Sequence, residues 1–217
     1  MLSGKKVLIF DLGGVVIDLL VDRTFSAMAA LGVPVAMLNE KDCLMNTKMM
    51  EFDRGDITAD EMFGHIKSFV PAEVREKLGS ELDVEVQRVW NLMLGSVPIA
   101  KLQQLSALRD AGYRVVMLSN TNSGHWTRIE ELFMEACSKL PAECFDALYL
   151  SYQMRCRKPE SEIFLSLLES EGVEAGDCIF FDDSAENCDA ARALGIDSVL
   201  VERNASWDGI FNELSCR

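Results

Sequence analysis

The sequence has few of the residues on which several common protein functions depend. Its 21 lysines and arginines stand against 35 aspartates and glutamates, which gives a net charge of −14. This balance argues against nucleic acid or an anionic membrane as the main partner, because both require a basic face. The chain has only two histidines, and its seven cysteines form no Cys-x-x-Cys pair, so a structural zinc site has little support. We interpret the scattered cysteines as reduced thiols of a cytoplasmic protein, several of them buried.

Long apolar segments are also missing. The first apolar run ends at Phe10 and Asp11 follows it, so we expect neither a signal peptide nor a membrane span. The chain contains no internal repeat and no low-complexity segment. Its 217 residues, 49% of them hydrophobic, suffice for one α/β domain, with or without a large insertion, and exclude three independent domains.

The chain does contain a series of short apolar runs, each of which stops at a polar residue. Five of them lie at 7–10, 115–118, 147–150, 178–181 and 198–201. Continuous apolar runs rich in β-branched and aromatic side chains are typical of strands buried on both faces. From about residue 99 onward, stripes that predict helices alternate with these runs, which indicates a parallel sheet covered by helices on both sides.

The segment 18–97 breaks this alternation because it contains no convincing strand. Helix signals run through it, including a capping box formed by Thr58 and Glu61, and weaker candidates lie at 23–31 and 39–51. So many consecutive helices cannot all cover one small sheet. We therefore interpret 18–97 as an all-helical insertion after the first strand, although the helices could also belong to the layers that flank the sheet. The remaining segments, 1–17 and 98–217, would form the α/β core.

Acidic and hydroxyl side chains follow three of the predicted strands. Asp11 follows the first, Ser119 and Asn120 the second, and Asp182 and Asp183 the fourth. Ligands of open parallel sheets bind outside the carboxyl ends of the strands. A single aspartate there often caps the next helix, but two adjacent carboxylates repel each other unless a cation compensates. The three aspartates offer enough oxygen ligands for Mg²⁺.

A lysine joins this set from the start of another predicted helix. Lys158 precedes Pro159 and Glu160, and proline is well placed in the first turn of a helix. Lys158 could be a solvated loop charge. Because it would face a cleft rich in carboxylates, we favour its interpretation as an anion clamp.

Four motifs in this order resemble those of the haloacid dehalogenase superfamily, over essentially the whole chain. They are Phe10–Val16, Leu118–Asn122, Arg157–Glu160 and Phe180–Asn187. The insertion resembles the helical cap of that family. The Phe-Asp-Leu-Gly signature and the stretch Asp53–Thr58 are most similar to the bacterial α-glucose-1-phosphatase-like sugar-phosphate phosphatases. The resemblance implies a Rossmann-like α/β core with an inserted helical cap.

The resemblance also implies an activity, namely a Mg²⁺-dependent phosphatase acting on a small phosphorylated metabolite such as a sugar phosphate. Asp11 would be the nucleophile and would form an aspartyl-phosphate. Ser119 and Lys158 would hold phosphoryl oxygens, with Asn120 beside Ser119 at the substrate. The residues that would hold the Mg²⁺ are Asp11, Gly13 (through its backbone carbonyl), Asp182 and Asp183.

Gly13 departs from the family pattern. Most phosphatases of the superfamily have a second aspartate there, which acts as the general acid for the leaving group, and its loss could cost about 10²–10⁴ in rate. His125, Asp18 or a metal-polarised water could replace it, and no spacing selects among them. Two alternatives follow: a dehalogenase-like hydrolase, which needs no Mg²⁺ and is disfavoured by the paired aspartates, or a non-catalytic protein that binds a ligand or partner.

We expect substrate specificity to reside in the insertion and the protein to be a monomer or a homodimer. In this architecture the cap closes over the cleft, and periodicity alone does not show which cap residues face the substrate. The candidates are Asp18, Met49, Glu51, Phe52 and Arg54.

Overall fold

The structure, a computed structural model, describes residues 2–34, 44–207 and 211. Its sheet consists of β1 (Val7–Phe10), β2 (Arg114–Ser119), β3 (Ala147–Leu150), β4 (Cys178–Asp182) and β5 (Asp197–Leu200). All neighbouring strands are parallel, and their order across the sheet is β3-β2-β1-β4-β5. Each predicted apolar run is therefore a strand, and the predicted parallel α/β core is confirmed.

The strands are continuously apolar because both faces of the sheet are covered. In β1, Leu8 and Phe10 belong to one buried cluster, whereas Val7 and Ile9 belong to another on the opposite face. Successive side chains of a strand point to opposite faces, so a strand with two buried faces needs apolar residues at every position. The helices that cover the faces, together with short connecting helices, are α6 (Ile99–Asp110), α7 (Ser123–Cys137), α8 (Pro141–Cys144), α9 (Ser151–Met154), α10 (Ser161–Glu171) and α11 (Ala185–Ala193).

Between β1 and α6 the structure is helical. The helices there are α1 (Val21–Ala30), α2 (Leu44–Asp53), α3 (Ala59–Phe69), α4 (Ala72–Leu78) and α5 (Leu82–Asn91). They share an apolar cluster of their own, built around Phe52 and Trp90. The predicted capping box is present, since the Thr58 hydroxyl accepts a hydrogen bond from the Glu61 N–H and the Glu61 carboxylate accepts one from the Thr58 N–H. Residues 39–43 of the predicted helix at 39–51 lie outside the described residues.

Two chain segments connect this helical region to the sheet, and they run antiparallel to each other. Leu19 pairs with Leu94, and the Gly95 N–H donates to the Asp18 carbonyl at 2.8 Å. A Cβ at Gly95 would lie 2.8 Å from the Asp18 Cβ, so only glycine allows this close approach. These connections lie near the predicted boundaries of the insertion, residues 18 and 97, which stay a prediction.

Two further expectations concern the cysteines and the membrane. The five cysteines within the described ranges are free thiols, and three of them are buried; Cys43 and Cys216 lie outside those ranges. None of the described helices has the length and apolar character needed to cross a bilayer.

Candidate active site

Three carboxylates meet at one edge of the sheet because β1 lies between β2 and β4. Asp11 continues β1, and its N–H donates to the Phe181 carbonyl of β4 at 2.9 Å. Asp182 ends β4 and Asp183 follows it. Ligand oxygens of Asp11, Asp182 and Asp183 lie within 4.8 Å of one another. The predicted carboxylate cluster is thus assembled by strand order alone.

Lys158 compensates part of this negative charge. Its side chain is 1% exposed, and its Nζ donates to Asp11 Oδ1 at 2.6 Å, to Asp182 Oδ2 at 2.7 Å and to the Leu118 carbonyl at 2.9 Å. Burial disfavours the ammonium charge, but the attraction of the two carboxylates outweighs it and raises the pKa of Lys158. The lysine is therefore a permanently charged group at the centre of the cluster.

Asp11 lies in an environment that resists its ionisation. It is 8% exposed. Burial raises the pKa of Asp11 to about 7, and the charge of Asp182 acts in the same direction, while Lys158 opposes both. A strongly shifted carboxyl beside a buried cation is typical of functional sites. A further cation would favour its ionised form.

Asp182 and Asp183 have different partners. Asp182 is fully buried, and its oxygens accept hydrogen bonds from Lys158, from the Ser184 N–H at 2.8 Å and from Asn187 Nδ2 at 3.0 Å. Asp183 accepts one from Arg203 Nε at 2.5 Å, and the Arg203 side chain is about half exposed, at 54%. Asp182 is thus held by internal donors, whereas the partner of Asp183 can move into solvent.

Ser119 and Asn120 both line the cleft beside the cluster, and the Asn120 side chain is already engaged within the protein. Asn120 Oδ1 accepts from the Lys158 N–H and its Nδ2 donates to the Lys158 carbonyl, both at 2.8 Å. The amide therefore clamps the backbone of Lys158 and fixes the position of its ammonium group. Ser119 is 2% exposed at the end of β2 and lines the cleft. Contact of either residue with a substrate stays a prediction.

Gly13 and Gly14 differ in whether the structure leaves room for a side chain. Gly14 has φ +80°, and a Cβ there would lie 2.6 Å from Asp183 Oδ2, so the chain approaches the cluster closely only because this residue is glycine. Gly13 lies outside the left-handed region, and a Cβ there would make an ordinary 3.6 Å contact with Leu19. The backbone at position 13 therefore accepts a Cβ without strain.

A cleft of about 330 Å³ lies between the carboxylate cluster and the helical region. Of the residues predicted to give specificity, Met49 lines this cleft. Glu51 pairs with Lys48, Arg54 pairs with Glu160, Phe52 is buried among the helices, and Asp18 accepts a hydrogen bond from the Ser96 hydroxyl. These four candidates do not line the cleft in this structure, and a role of any of them in specificity stays a prediction.

Asp53, Asn122 and Arg157 also line the cleft; they belong to the motifs quoted from the sequence, but no role was assigned to them there. A signal for Asp53 existed, because it lies four residues after Met49 on α2 and residues at this spacing share a helix face. Asp53 Oδ1 accepts from Asn122 Nδ2 at 3.1 Å, which joins the helical region to the core. Burial raises the pKa of Asp53, while Asn122 and Arg157 oppose this shift.

His125 also lines the cleft, but it is poorly suited to be an acid. It is buried and stacks on Trp90 with ring centroids 5.0 Å apart. Its Nδ1 is 2.8 Å from Asn91 Oδ1. Burial lowers the pKa of His125 to about 3, so near neutral pH the ring carries no extra proton to donate. Asp18, the other acid considered, lies in the segment that connects the sheet to the helical region and not in this cleft.

Comparison with known proteins agrees with this geometry. A family model described as haloacid dehalogenase-like hydrolase matches residues 5–195. The chain is 30% identical over 205 residues to D-ribitol-5-phosphate phosphatase from Bacteroides thetaiotaomicron, covering 93% of this chain and 94% of that protein. It is 26% identical over 194 residues to a sesquiterpene phosphatase from Aspergillus oryzae, covering 88% and 87%.

A solved structure shows the same architecture. It is a haloacid dehalogenase family enzyme from Bacteroides thetaiotaomicron in complex with magnesium and inorganic phosphate, with a TM-score of 0.79 and 30% identity, covering 95% of this chain and 99% of that one. The family match spans most of the sequence, and residues of all four sequence motifs line one cleft. This chain belongs to the haloacid dehalogenase-like hydrolases.

Proposed function

We propose that this hydrolase is a Mg²⁺-dependent phosphatase that acts on a small sugar or sugar-alcohol phosphate through an aspartyl-phosphate on Asp11. The observation that carries the proposal is the cluster of three carboxylates around the buried ammonium group of Lys158. Such a cluster is costly to bury, which favours a catalytic site over a surface that only binds a partner. The phosphatase relatives and the magnesium and phosphate bound to one of them support the same conclusion.

The residues at the cluster suit a hard divalent cation. Carboxylate oxygens are the ligands that Mg²⁺ prefers, and three carboxylates with one lysine leave a negative site. Asp11, Asp183 and the Gly13 carbonyl would hold the ion, while Asp182, engaged by internal donors, would position Lys158. When bound, Mg²⁺ would neutralise charge on the phosphoryl oxygens.

Asp11 would carry out the covalent step. Its carboxylate oxygen attacks the phosphorus, a new O–P bond forms, and the bond from phosphorus to the substrate oxygen breaks. Water then attacks the aspartyl-phosphate and releases inorganic phosphate and the free Asp11 carboxylate. Lys158 and Ser119 hold phosphoryl oxygens during both steps, which places their contribution in charge stabilisation and orientation.

Departure of the substrate oxygen proceeds without a side-chain acid next to the nucleophile. Gly13 has no proton to donate, and the low pKa of His125 makes it neutral at working pH. Negative charge therefore accumulates on the leaving oxygen in the transition state. Good leaving groups, such as the anomeric oxygen of a sugar, should be favoured.

Hydrolysis of p-nitrophenyl phosphate with Mg²⁺ and with EDTA tests this proposal. Activity that requires Mg²⁺ and is lost in Asp11→Asn supports it, because that substitution removes the nucleophile and nearly conserves volume. Metal-independent activity on 2-haloacids would favour the dehalogenase alternative instead. Absence of both activities in the folded protein would favour the non-catalytic alternative.

A further inference from the structure

Where helix α2 faces the core, the cleft contains a carboxylate whose hydrogen bonding is incomplete. Asp53 lines the cleft with about a fifth of its side chain exposed, 19%. Its Oδ1 accepts from Asn122 at 3.1 Å. The cation nearest to its Oδ2 is the Arg157 guanidinium, and the 3.8 Å between Oδ2 and the guanidinium nitrogen exceed a hydrogen bond. Oδ2 therefore has acceptor capacity left.

Within the described residues, Asp53 lacks a donor at Oδ2, whereas the guanidinium of Arg157 lacks a hydrogen-bond acceptor at Nε. Its side chain is 19% exposed, and its Nε is enclosed with no hydrogen-bond partner among the described residues. Buried polar groups of native proteins are almost always paired, and a guanidinium has five N–H donors to satisfy. The neighbouring Arg54 shows the usual solution, since its Nε donates to Glu160 at 2.9 Å. Arg157 thus lines the cleft with a guanidinium whose hydrogen-bonding capacity is incompletely used.

An acceptor and a donor side by side define the chemistry of the group that fits between them. A hydroxyl donates to a carboxylate and accepts from a guanidinium at the same time. A second phosphate or a carboxylate would be repelled by Asp53, an ammonium group would be repelled by Arg157, and a ketone would leave Asp53 without a donor. The adjacent wall contains Met49, Trp90, Met93 and Leu94, which offer apolar surface to the carbon chain.

We propose that Asp53 and Arg157 are specificity-determining residues, which together bind a hydroxyl of the substrate and so select hydroxylated phosphates over alkyl phosphates of similar size. This inference rests on the proposed phosphatase function. It assigns the two halves of the cleft different tasks: the carboxylate cluster and Lys158 act on the phosphoryl group, and the Asp53–Arg157 pair selects what is attached to it.

The test compares substrates that differ in their hydroxyls. Ribitol 5-phosphate is paired with pentyl phosphate, and glucose 6-phosphate with cyclohexylmethyl phosphate, so that both members of each pair release a primary alcohol. We expect the wild type to prefer at least one hydroxylated member of these pairs. Asp53→Asn and Arg157→Gln should each lower kcat/KM for that member about 10- to 100-fold, the effect of losing a hydrogen bond to a charged group, and leave its alkyl partner within about twofold.

Arg54→Gln is the matched control. It removes the ion pair with Glu160 that also joins α2 to the core, but neither residue lines the cleft. We therefore expect this variant to change both members of a pair by the same factor. If Asp53→Asn or Arg157→Gln also lowers both members equally, their role is structural and the inference is overturned. Unchanged discrimination in both variants would overturn it as well.

Binding to the Asp11→Asn protein separates this inference from the proposed function. Calorimetry in that background measures affinity without turnover. Adding Asp53→Asn or Arg157→Gln should weaken binding of the preferred hydroxylated phosphate and spare its alkyl partner. If Asp53→Asn does not fold, Arg157→Gln decides the question. A wild type that hydrolyses no phosphate refutes the proposed function, whereas equal binding of both members of each pair refutes the inference about Asp53 and Arg157.

Discussion

Replacing Lys158 by methionine should lower the free energy of unfolding, because the buried carboxylates lose their compensating charge. The substitution keeps an unbranched side chain of similar length and removes an ammonium group that bonds Asp11 at 2.6 Å and Asp182 at 2.7 Å. Both carboxylates are buried. Removing one partner of a buried ion pair costs about 3–5 kcal/mol, because the remaining charge is left uncompensated. For a chain of this size, that corresponds to a decrease of about 6–20 °C in melting temperature.

Lys101→Met provides the control because Lys101 is also buried but faces no carboxylate cluster. Its Nζ donates to the Val15 carbonyl at 2.6 Å and lies over the Trp207 ring. Its loss removes one hydrogen bond, for which we expect a cost of about 1 kcal/mol. Urea unfolding in EDTA measures both variants. Equal destabilisation of the two variants would refute the assigned role of Lys158.

Added Mg²⁺ gives a second readout of the same substitution. Ligands that bind the folded state stabilise it, and the cluster without Lys158 repels itself more strongly. Mg²⁺ should therefore increase the unfolding free energy of Lys158→Met more than that of the wild type. A smaller increase would show that Lys158 helps to form the metal site rather than competing with the metal for charge.

Three further predictions follow from the site. Position 13 accepts a Cβ without strain, and Gly13→Asp should flatten the dependence of kcat/KM on leaving-group pKa, with the largest gain on alkyl phosphates. A flat dependence in the wild type would instead indicate an existing acid. Arg203→Gln removes the donor on Asp183 and should tighten Mg²⁺ binding about two- to fivefold, as for other exposed pairs, whereas weaker binding measured by calorimetry would contradict this. Burial lowers the pKa of His125 from 6.5 to about 3. Between pH 6.5 and 3 the unfolded chain therefore binds a proton at this residue and the folded chain does not. The free energy of unfolding consequently decreases as the pH falls through this range. His125→Gln should lessen the loss of unfolding free energy between pH 6.5 and 4, and parallel curves for variant and wild type would refute it.

The strands were predictable because short-range patterns determine them, and the carboxylate cluster was predictable from the strand ends together with the general arrangement of parallel sheets. A strand buried on both faces leaves a continuous apolar run, and β1 and β4 show this without a polar interruption. Parallel strands place their carboxyl ends at one edge. Asp11 and the Asp182–Asp183 pair therefore had to meet wherever β1 and β4 were neighbours.

The substrate side of the cleft was less predictable because tertiary contacts orient the insertion. Asp53 faces the core through Asn122, whereas the adjacent Arg54 turns to Glu160, and no local pattern distinguishes these two neighbours. The sequence also did not show which hydrogen-bonding groups are already paired within the protein. Asn120 was predicted beside the substrate, and only the folded structure reveals that its amide also holds the Lys158 backbone.

Trapping the covalent intermediate shows directly whether Asp11 is the nucleophile. The wild type is mixed with Mg²⁺ and p-nitrophenyl phosphate, quenched in acid during turnover, digested and analysed by mass spectrometry, with Asp11→Asn treated in parallel. We expect one phosphoryl group on Asp11 in the wild type, and neither this group nor turnover in Asp11→Asn. A phosphoryl group on another residue, or turnover that persists in Asp11→Asn, would contradict the assignment of Asp11 as the nucleophile.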